Sequence, residues 1–388
     1  MRKENVDLWI SCSGVASALE DGEAKEVLER VTGVRAVQFG VEVTGRLHEK
    51  DRFVECTRGV GLTVPETYPV RSLDEALSVL YPTSPSPLPR KDQKQKQKHY
   101  ILKFTGTSDV LRSNMTLLPL STPTSTSSHI SNLRPSPTRP FILQQYIPGP
   151  EYCTHSIVVR GHILAFTACR SSDLLMHYRA LSPHSPLFKA FLRYTELYAE
   201  KMGEEFTGHF SIDFLVDEEG LDEEATLDEK GREEKGVEEL MGRIYPIECN
   251  PRAHTAAVLF AERSEEVAEA YLSLLDEGED GKTKREIVMP GPETPGYYWV
   301  GHDLVTRVLL PVLYLLQGKL GIADVFANWV EFWDHLLYWK DGTYEIWDPW
   351  PFWWLYVVYW PGMFWISILT RNWWSRCNVS TTKLFRCS

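Results

Sequence analysis

Two hydrophobic rhythms take turns along most of the first 276 residues. Alternation with period two marks strands at 6–10, 34–39, 61–65, 100–103, 141–147, 151–160, 162–169, 210–216 and 245–250. Recurrence near 3.6 marks helices at 22–31, from 48 onward, at 73–80, 186–202 and 262–275. Strands 151–160 and 162–169 flank Gly161 and read as a hairpin. Ser72 with Glu75 three residues later is a capping box for the helix that runs to about Leu80. On helix 22–31 the apolar face falls on Ala24, Val27 and Leu28. This interleaving predicts an α/β (α+β) fold.

The rhythm fails in three places. Residues 82–99 are Pro/Ser-rich and then Lys/Gln-rich, and 121–140 are rich in Ser, Thr and Pro. Residues 217–243 carry twelve acidic and four basic side chains, a net of −8. All three read as insertions in loops. The last part of the chain is different again. Residues 303–316 form a very apolar helix, and 329–339 are aromatic and acidic. Residues 349–370 contain no charged side chain and include Trp350, Trp353, Trp354, Trp360 and Trp365. Such a stretch is long enough to span a bilayer. Pro351, Pro361 and Gly362 interrupt it, however, and its tryptophans are spread throughout. The expectation is a helical segment that packs on the protein or lies in a membrane interface, not one that spans.

Composition narrows the class. With 388 residues, 43% hydrophobic and 24% charged, the chain is globular, with one large or two medium domains. A net charge of −12 excludes a general nucleic-acid binder. Seven cysteines, an odd number with no C-x-x-C, argue against a zinc site or a disulfide framework. A reducing, cytoplasmic interior fits best, and no apolar run follows Met1-Arg2-Lys3-Glu4 to make a secretory signal. Asn114 and Asn378 in N-x-S/T triplets then read as chance matches.

Chemistry gathers at Tyr245-Pro246-Ile247-Glu248-Cys249-Asn250-Pro251-Arg252. Alternation puts Glu248 and Asn250 on one face of a strand, and Ile247 and Cys249 on the other. Pro251 stops the strand. The strand at 210–216 presents Asp213 together with Ser211. Paired, the two strands bring Asp213, Glu248 and Asn250 into an all-oxygen cluster, a donor set that suits Mg²⁺ beside nucleotide phosphates. Alone, the trio is better read as edge carboxylates in water, since short motifs match often by chance. Lys50 and Lys103 lie on separate earlier elements; singly, each reads as a solvated lysine. Gln144 to Glu151 reads Q-Q-Y-I-P-G-P-E, a strand end and proline turn. It offers backbone groups to an adenine edge and a carboxylate to ribose hydroxyls.

The order of these parts resembles the ATP-grasp superfamily over residues 46–260. The resemblance implies an ATP-grasp fold. It matches Lys50 and Lys103 to the phosphate-binding lysines, Gln144, Gln145 and Ile147 to the adenine hinge, and Glu151 to the ribose acid. Asp213, Glu248 and Asn250 match the metal ligands for Mg²⁺, with Mn²⁺ as the alternative. Arg252 matches the arginine that faces the acceptor or the transferred phosphoryl group. Departures are three insertions and a loop after Lys103 whose only glycine is Gly106. The segments 151–156, 168–172 and 250–255 are similar to fungal ATP-grasp proteins related to mycosporine-glycine synthases. That similarity adds Arg170 and His254, beside Arg252, as contacts for an anionic amino acid or phosphate. For His155 and His177 surface or turn polarity is the preferred reading.

The implied organisation is a remnant of an N-terminal α/β domain at 1–45, an ATP-grasp domain at 46–276, and a Trp-rich helical region at 297–388. The implied activity is ATP- and Mg²⁺-dependent joining of an amine to a phosphoryl-activated small-molecule acceptor, a cyclohexenone or a carboxylate. The alternative is a catalytically impaired nucleotide-binding scaffold, membrane-associated through peripheral contact at 349–370. A shortened first domain predicts exposure of Trp9, Val37 and Phe39, poor ligation, and aggregation that an upstream extension relieves.

Overall fold

The computed structural model describes residues 6–14, 17–82, 98–104, 115–171, 176–217, 230–276, 286–378 and 383–386. The fold is mixed α/β with a helical C-terminal region. Strand β1 (Leu8–Ile10), helix α1 (Ala18–Thr32) and strand β2 (Arg35–Val37) come first, with β1 and β2 paired in parallel. The buried side of α1 is Ala18 and Gly22, and Val27 is exposed, unlike the face expected. The reason is close approach: a β-carbon at Gly22 would lie 3.0 Å from the Val41 nitrogen, so the small-residue side faces inward. Val37 and Phe39 are fully buried, contrary to the exposed edge expected. The Phe39 ring stands 4.5 Å from that of Phe206, and Phe210 and Tyr198 complete the cluster.

Helices α2 (Val41–His48) and α3 (Lys50–Gly59) lead to β3 (Thr67–Val70), which starts after the expected 61–65. Gly61, at φ 85°, turns the chain there instead. Ser72 caps α4 (Leu73–Leu80) by accepting from the Glu75 amide at 3.2 Å. The Glu75 carboxylate takes the Arg71 amide, so the box closes one residue early. Strands β4 (Tyr100–Phe104) and β5 (Leu117–Leu118) follow.

Residues 121–140 are not simply a loop: they contain helix α5 (Pro123–Leu133). Thr122 caps it reciprocally with Ser125, and Pro123 occupies the first turn, where no amide partner is needed. Thr126, Ile130 and Leu133 supply a stripe at helical spacing, with Thr126 and Ile130 fully buried. β6 (Phe141–Gln145) then enters an antiparallel sheet of order β3-β6-β4-β5. Val70, Leu102, Leu118, Ile130, Phe141 and Leu143 form the core over it.

Strands β7 (Glu151–Val159) and β8 (His162–Arg170) make the expected hairpin. Arg160 and Gly161, at φ 51° and 78°, form its turn with the hand that matches strand twist. Helix α6 (Pro186–Met202) is followed by β9 (Gly208–Val216), helix α7 (Lys230–Met241) and β10 (Ile244–Asn250). The sheet order is β10-β9-β7-β8, so Pro246 lies on an edge strand, where its missing donor costs little. A 3₁₀ helix, Thr255–Arg263, leads into α8 (Ser264–Leu272).

Three long helices follow, and after them an antiparallel strand pair, Trp374–Asn378 with Lys383–Arg386. α9 is built from Val300–Asp303, a π-helical Leu304–Leu309 and Leu310–Leu316. α10 is Ile322–Tyr338 and α11 is Trp350–Leu369. Against expectation, Pro361 and Gly362 do not interrupt α11, which carries its own π segment, Trp354–Tyr359. The two π segments answer the same problem. Leu310, just before Pro311, donates to the carbonyl of Val305, and Trp360, just before Pro361, donates to Leu355. Each widened turn makes room for the ring that follows. α11 is, among the described residues, the one helix long and apolar enough to cross a membrane.

The chain divides into two compact units. One comprises 1–41, 151–211 and 250–388; the other comprises 42–150 and 212–249. Strands β9 and β10 run through the division. Thr122→Ala removes the cap of α5 at a cost of about 1 kcal/mol. The expected result is faster amide hydrogen exchange across Pro123–Leu133 and unchanged exchange in α6.

Candidate functional site

The second unit holds Lys50, Lys103, Gln144, Gln145, Ile147, Asp213 and Glu248. Lys50 is the first residue of α3, and its Nζ lies 2.5 Å from Glu248 Oε2. Both side chains are 39% exposed, so water screens the pair and its contribution to stability is small. Its interest is chemical, since it brings a cation from the start of the unit onto a carboxylate near its end. Lys103 pairs with Ile142 across β4 and β6, which places it diagonal to Gln144. Gln144 is buried, and its Oε1 accepts from Lys103 Nζ at 2.7 Å. Its Nε2 donates to Thr67 Oγ1 at 3.4 Å.

Gln145 is turned inward. Its backbone N–H donates to the Glu66 carbonyl at 2.7 Å, and its Oε1 accepts from the Glu66 amide at 3.2 Å. The Tyr146 amide donates to the His99 carbonyl, and Ile147 is buried. Glu66 is thus the residue that fixes the end of β6, and the sequence reading missed it. Its carboxylate accepts from Tyr100 Oη at 2.8 Å and pairs with Lys98. Burial raises this carboxyl, but the hydrogen bonds from Lys98 and Tyr100 outweigh it and hold the group below its ordinary range. The one sequence signal was Tyr100, a phenol opening an apolar strand, which needs a buried partner.

The turn Pro148-Gly149-Pro150 is set by contact with β9. A β-carbon at Gly149 would sit 1.8 Å from the Val216 carbonyl oxygen, and the Val216 amide donates to the Pro150 carbonyl at 3.1 Å. Asp213, on β9, is partly exposed. On the opposite face Ile212 and Phe214 are fully buried. Gly106 and the other residues of the loop after Lys103 lie outside the described residues.

The first unit holds Glu151, Arg170, Asn250 and Arg252. Glu151 is exposed at the start of β7 and accepts from Ser171 Oγ at 2.9 Å. Arg170, exposed, ends β8 opposite Tyr152. Asn250 is nearly buried, and its Oδ1 accepts from Arg252 Nη2 at 3.2 Å. Arg252 Nη1 donates to the Ala253 carbonyl at 3.1 Å. His254 caps the 3₁₀ helix, with Nδ1 accepting from the Ala256 amide at 3.2 Å, so its proton is on Nε2. Burial, and then the charge of Arg252, push it down to about 4.

His155 is buried, with Nδ1 2.9 Å from Ser211 Oγ, and burial with His209, His254 and Arg252 nearby keeps it neutral. His177 is not the surface polarity expected. Its Nε2 lies 2.6 Å from Asp303 Oδ1, and His335 Nδ1 lies 2.6 Å from Asp303 Oδ2. Nothing in the spacing of these three residues pointed to their meeting.

The sequence matches no protein-family model and no curated protein. Its structure is similar to several solved ones. N5-carboxyaminoimidazole synthetase from Staphylococcus aureus, complexed with ADP, is 12% identical over 62% of this chain and 53% of that one, with a TM-score of 0.40. L-amino acid ligase from Bacillus licheniformis is 13% identical over 61% of this chain and 48% of that one, at 0.36. D-alanine–D-alanine ligase from Bacillus anthracis, complexed with ATP, is 14% identical over 71% of this chain and 77% of that one, at 0.39. The chain spans about half the length of the first two. At TM-scores below 0.5 these likenesses assign neither family nor activity.

Two outcomes follow from the site geometry. Gly149→Ala forces the turn away from β9 and lowers Tm, whereas Ala at Gly14, which meets no atom within 4 Å, leaves Tm unchanged. The second concerns His209, whose Nε2 lies 2.9 Å from Tyr271 Oη and which burial pushes down to about 4 from 6.5. Its neutral form belongs to the fold, so its stabilisation is complete above pH 6.5 and is lost as pH falls toward 4. In a thermal-melt series the wild-type Tm therefore declines more steeply over that window than the Tm of His209→Gln.

Proposed function

We propose that the chain is an ATP-grasp ligase that joins an amine to a small-molecule acceptor at the expense of ATP. The observation that carries the reading is the Lys50–Glu248 ion pair at 2.5 Å. It unites a lysine matched to phosphate binding with a glutamate matched to metal binding, as a metal–nucleotide complex requires. The Lys103–Gln144 hydrogen bond does the same for the second lysine and the hinge.

The donor set suits a hard divalent cation. Glu248 and Asp213 are partly exposed carboxylates, and Glu248 already attracts the Lys50 ammonium. In this reading Asp213, Glu248 and Asn250 hold Mg²⁺ or Mn²⁺, which offsets triphosphate charge when bound. Lys50 and Lys103 contribute fixed positive charge on the phosphates, Gln144, Gln145 and Ile147 border the adenine, and Glu151 accepts from the ribose hydroxyls. Arg252 and Arg170 neutralise the phosphoryl group in transit or an anionic amino acid. The acceptor oxygen attacks the γ-phosphorus, and the bond to ADP breaks. The amine then forms the new C–N bond, and inorganic phosphate leaves. The chain need only position and neutralise, so no protein nucleophile is required.

The narrower reading is an acceptor of the cyclohexenone or carboxylate class, in mycosporine-type secondary metabolism. Residues 151–156, 168–172 and 250–255 support it through their similarity to that group. The protein acts on small molecules in the cytoplasm.

The test is ADP release on adding candidate acceptors and amino acids. Glu248→Gln and Asn250→Ala each lower divalent-cation-dependent turnover by roughly 100-fold, the scale of losing one charge contact in the transition state. Both variants keep the wild-type circular dichroism. ATP binding without turnover by the wild type, whatever the acceptor, assigns a nucleotide-binding scaffold instead.

A further inference from the structure

A helix pair in water hides apolar side chains between the helices and turns charge outward. Helices α9 and α10 do the reverse. Between them Arg307 Nη2 lies 2.7 Å from Glu331 Oε1, and Arg307 Nη1 donates to Asn328 Oδ1 at 3.2 Å. One turn away Asp303, 0% exposed, accepts from His335 of α10 and from His177. Asp303 and Arg307 are one helical turn apart, and Asn328, Glu331 and His335 follow one another at helical spacing, so two polar stripes face each other.

The outer faces are mostly apolar, with Asp324 and Asp334 of α10 the exposed carboxylates among them. On α10, Ile322, Phe326, Val330, Trp333 and Leu337 recur every three or four residues, and all are exposed. On α9, Leu304, Leu309, Leu313 and Leu316 are exposed in the same way. α11 adds Trp350, Trp354, Val357, Trp365 and Leu369, within a segment that carries no charge. Only 17% of its most apolar window is buried. Exposed cations stand at the ends of these faces: Lys319, in the turn between α9 and α10, and Arg371, just after α11.

We propose that α9, α10 and α11 form a lipid-facing surface, and that the protein sits in one face of a bilayer with their outer sides in the lipid. The polar contacts between the helices, around an Asp303 that is 0% exposed and an Arg307 whose side chain is 18% exposed, are what selects lipid as the occupant. Ionisable groups in a lipid environment turn toward one another and away from the acyl chains, and lysine and arginine at helix ends reach back to the headgroups. Protein interfaces have a polar rim around an apolar centre; here exposed apolar side chains occur along all three helices, and tryptophan and tyrosine, the residues of the membrane interface, are abundant. The Asp303–His177 contact keeps the polar side of the hairpin on the rest of its unit, so the helices lie along the surface and do not cross it. This inference is independent of the reaction catalysed.

The test uses the full chain and phosphatidylcholine vesicles. All tryptophans but Trp9 lie at 299 and beyond, so intrinsic fluorescence reports on this region. The chain is expected to float with the vesicles equally at low and high salt, and brominated phosphatidylcholine is expected to quench its tryptophan emission. Leu309→Glu and Val330→Glu, on the outer faces, lower the bound fraction at least tenfold while circular dichroism is unchanged. Val27→Glu, exposed on α1, leaves binding as it was. A chain that stays in buffer as a monomer overturns the proposal. So does a stable dimer that ignores vesicles, which would make this face an interface between copies. Outer-face variants that bind as well as wild type overturn it too.

Discussion

A single steric contact constrains the centre of the second unit. Gly149 approaches β9 so closely that a β-carbon would sit 1.8 Å from the Val216 carbonyl oxygen. The backbone alone makes the joint, through the Val216 amide and the Pro150 carbonyl. Such a joint cannot be built with any larger residue, and it does not depend on side-chain chemistry. It fixes where β6 ends, and hence where Gln144 and the Lys103 ammonium it holds stand. It also fixes the end of β9, three residues after the partly exposed Asp213. Glu66 secures the same strand end from the other side by engaging both the amide and the side chain of Gln145.

Local patterns were legible in the sequence because they are local. The β7–β8 hairpin around Gly161, α6 from Pro186 to Met202 and the strand carrying Glu248 follow from alternation, helical spacing and turn chemistry. Composition misled at 121–140. Eleven residues of it are helix, because a reciprocal cap and a stripe of Thr126, Ile130 and Leu133 outweigh the abundance of Ser and Thr. Proline misled in α11, where spacing cannot show that a π turn ahead of Pro361 takes up the ring.

Partners remote in sequence were out of reach. Lys50 and Glu248 were both singled out, yet their ion pair depends on how α3 and β10 come together. Glu66 carried no signal of its own. His177 looked like surface polarity because its partner, Asp303, belongs to a helix that reads as merely apolar. Buried polar groups pair across the fold, so sequence names the groups more readily than the pairs.

The first unit contains two opposite orders. On α6, Phe188, Phe191 and Tyr194 are fully buried while Arg193 and Glu200 face out, the arrangement of a protein in water. On α9 and α10, Arg307 turns toward Glu331 of the facing helix while Leu309, Leu313, Val330 and Trp333 face out. Asp303 lies where these orders meet. One oxygen takes His177, from the segment that follows β8, and the other takes His335, from the hairpin. A carboxylate there gains nothing from water or from lipid, since it is 0% exposed, and two imidazole partners meet that burial. Loss of either ring would leave one carboxylate oxygen short of a partner in a dry site, a cost that neither surrounding medium could offset. The contact therefore does two things at once: it tethers the hairpin to the rest of its unit, and it satisfies the most deeply buried charge on the hairpin's inner face.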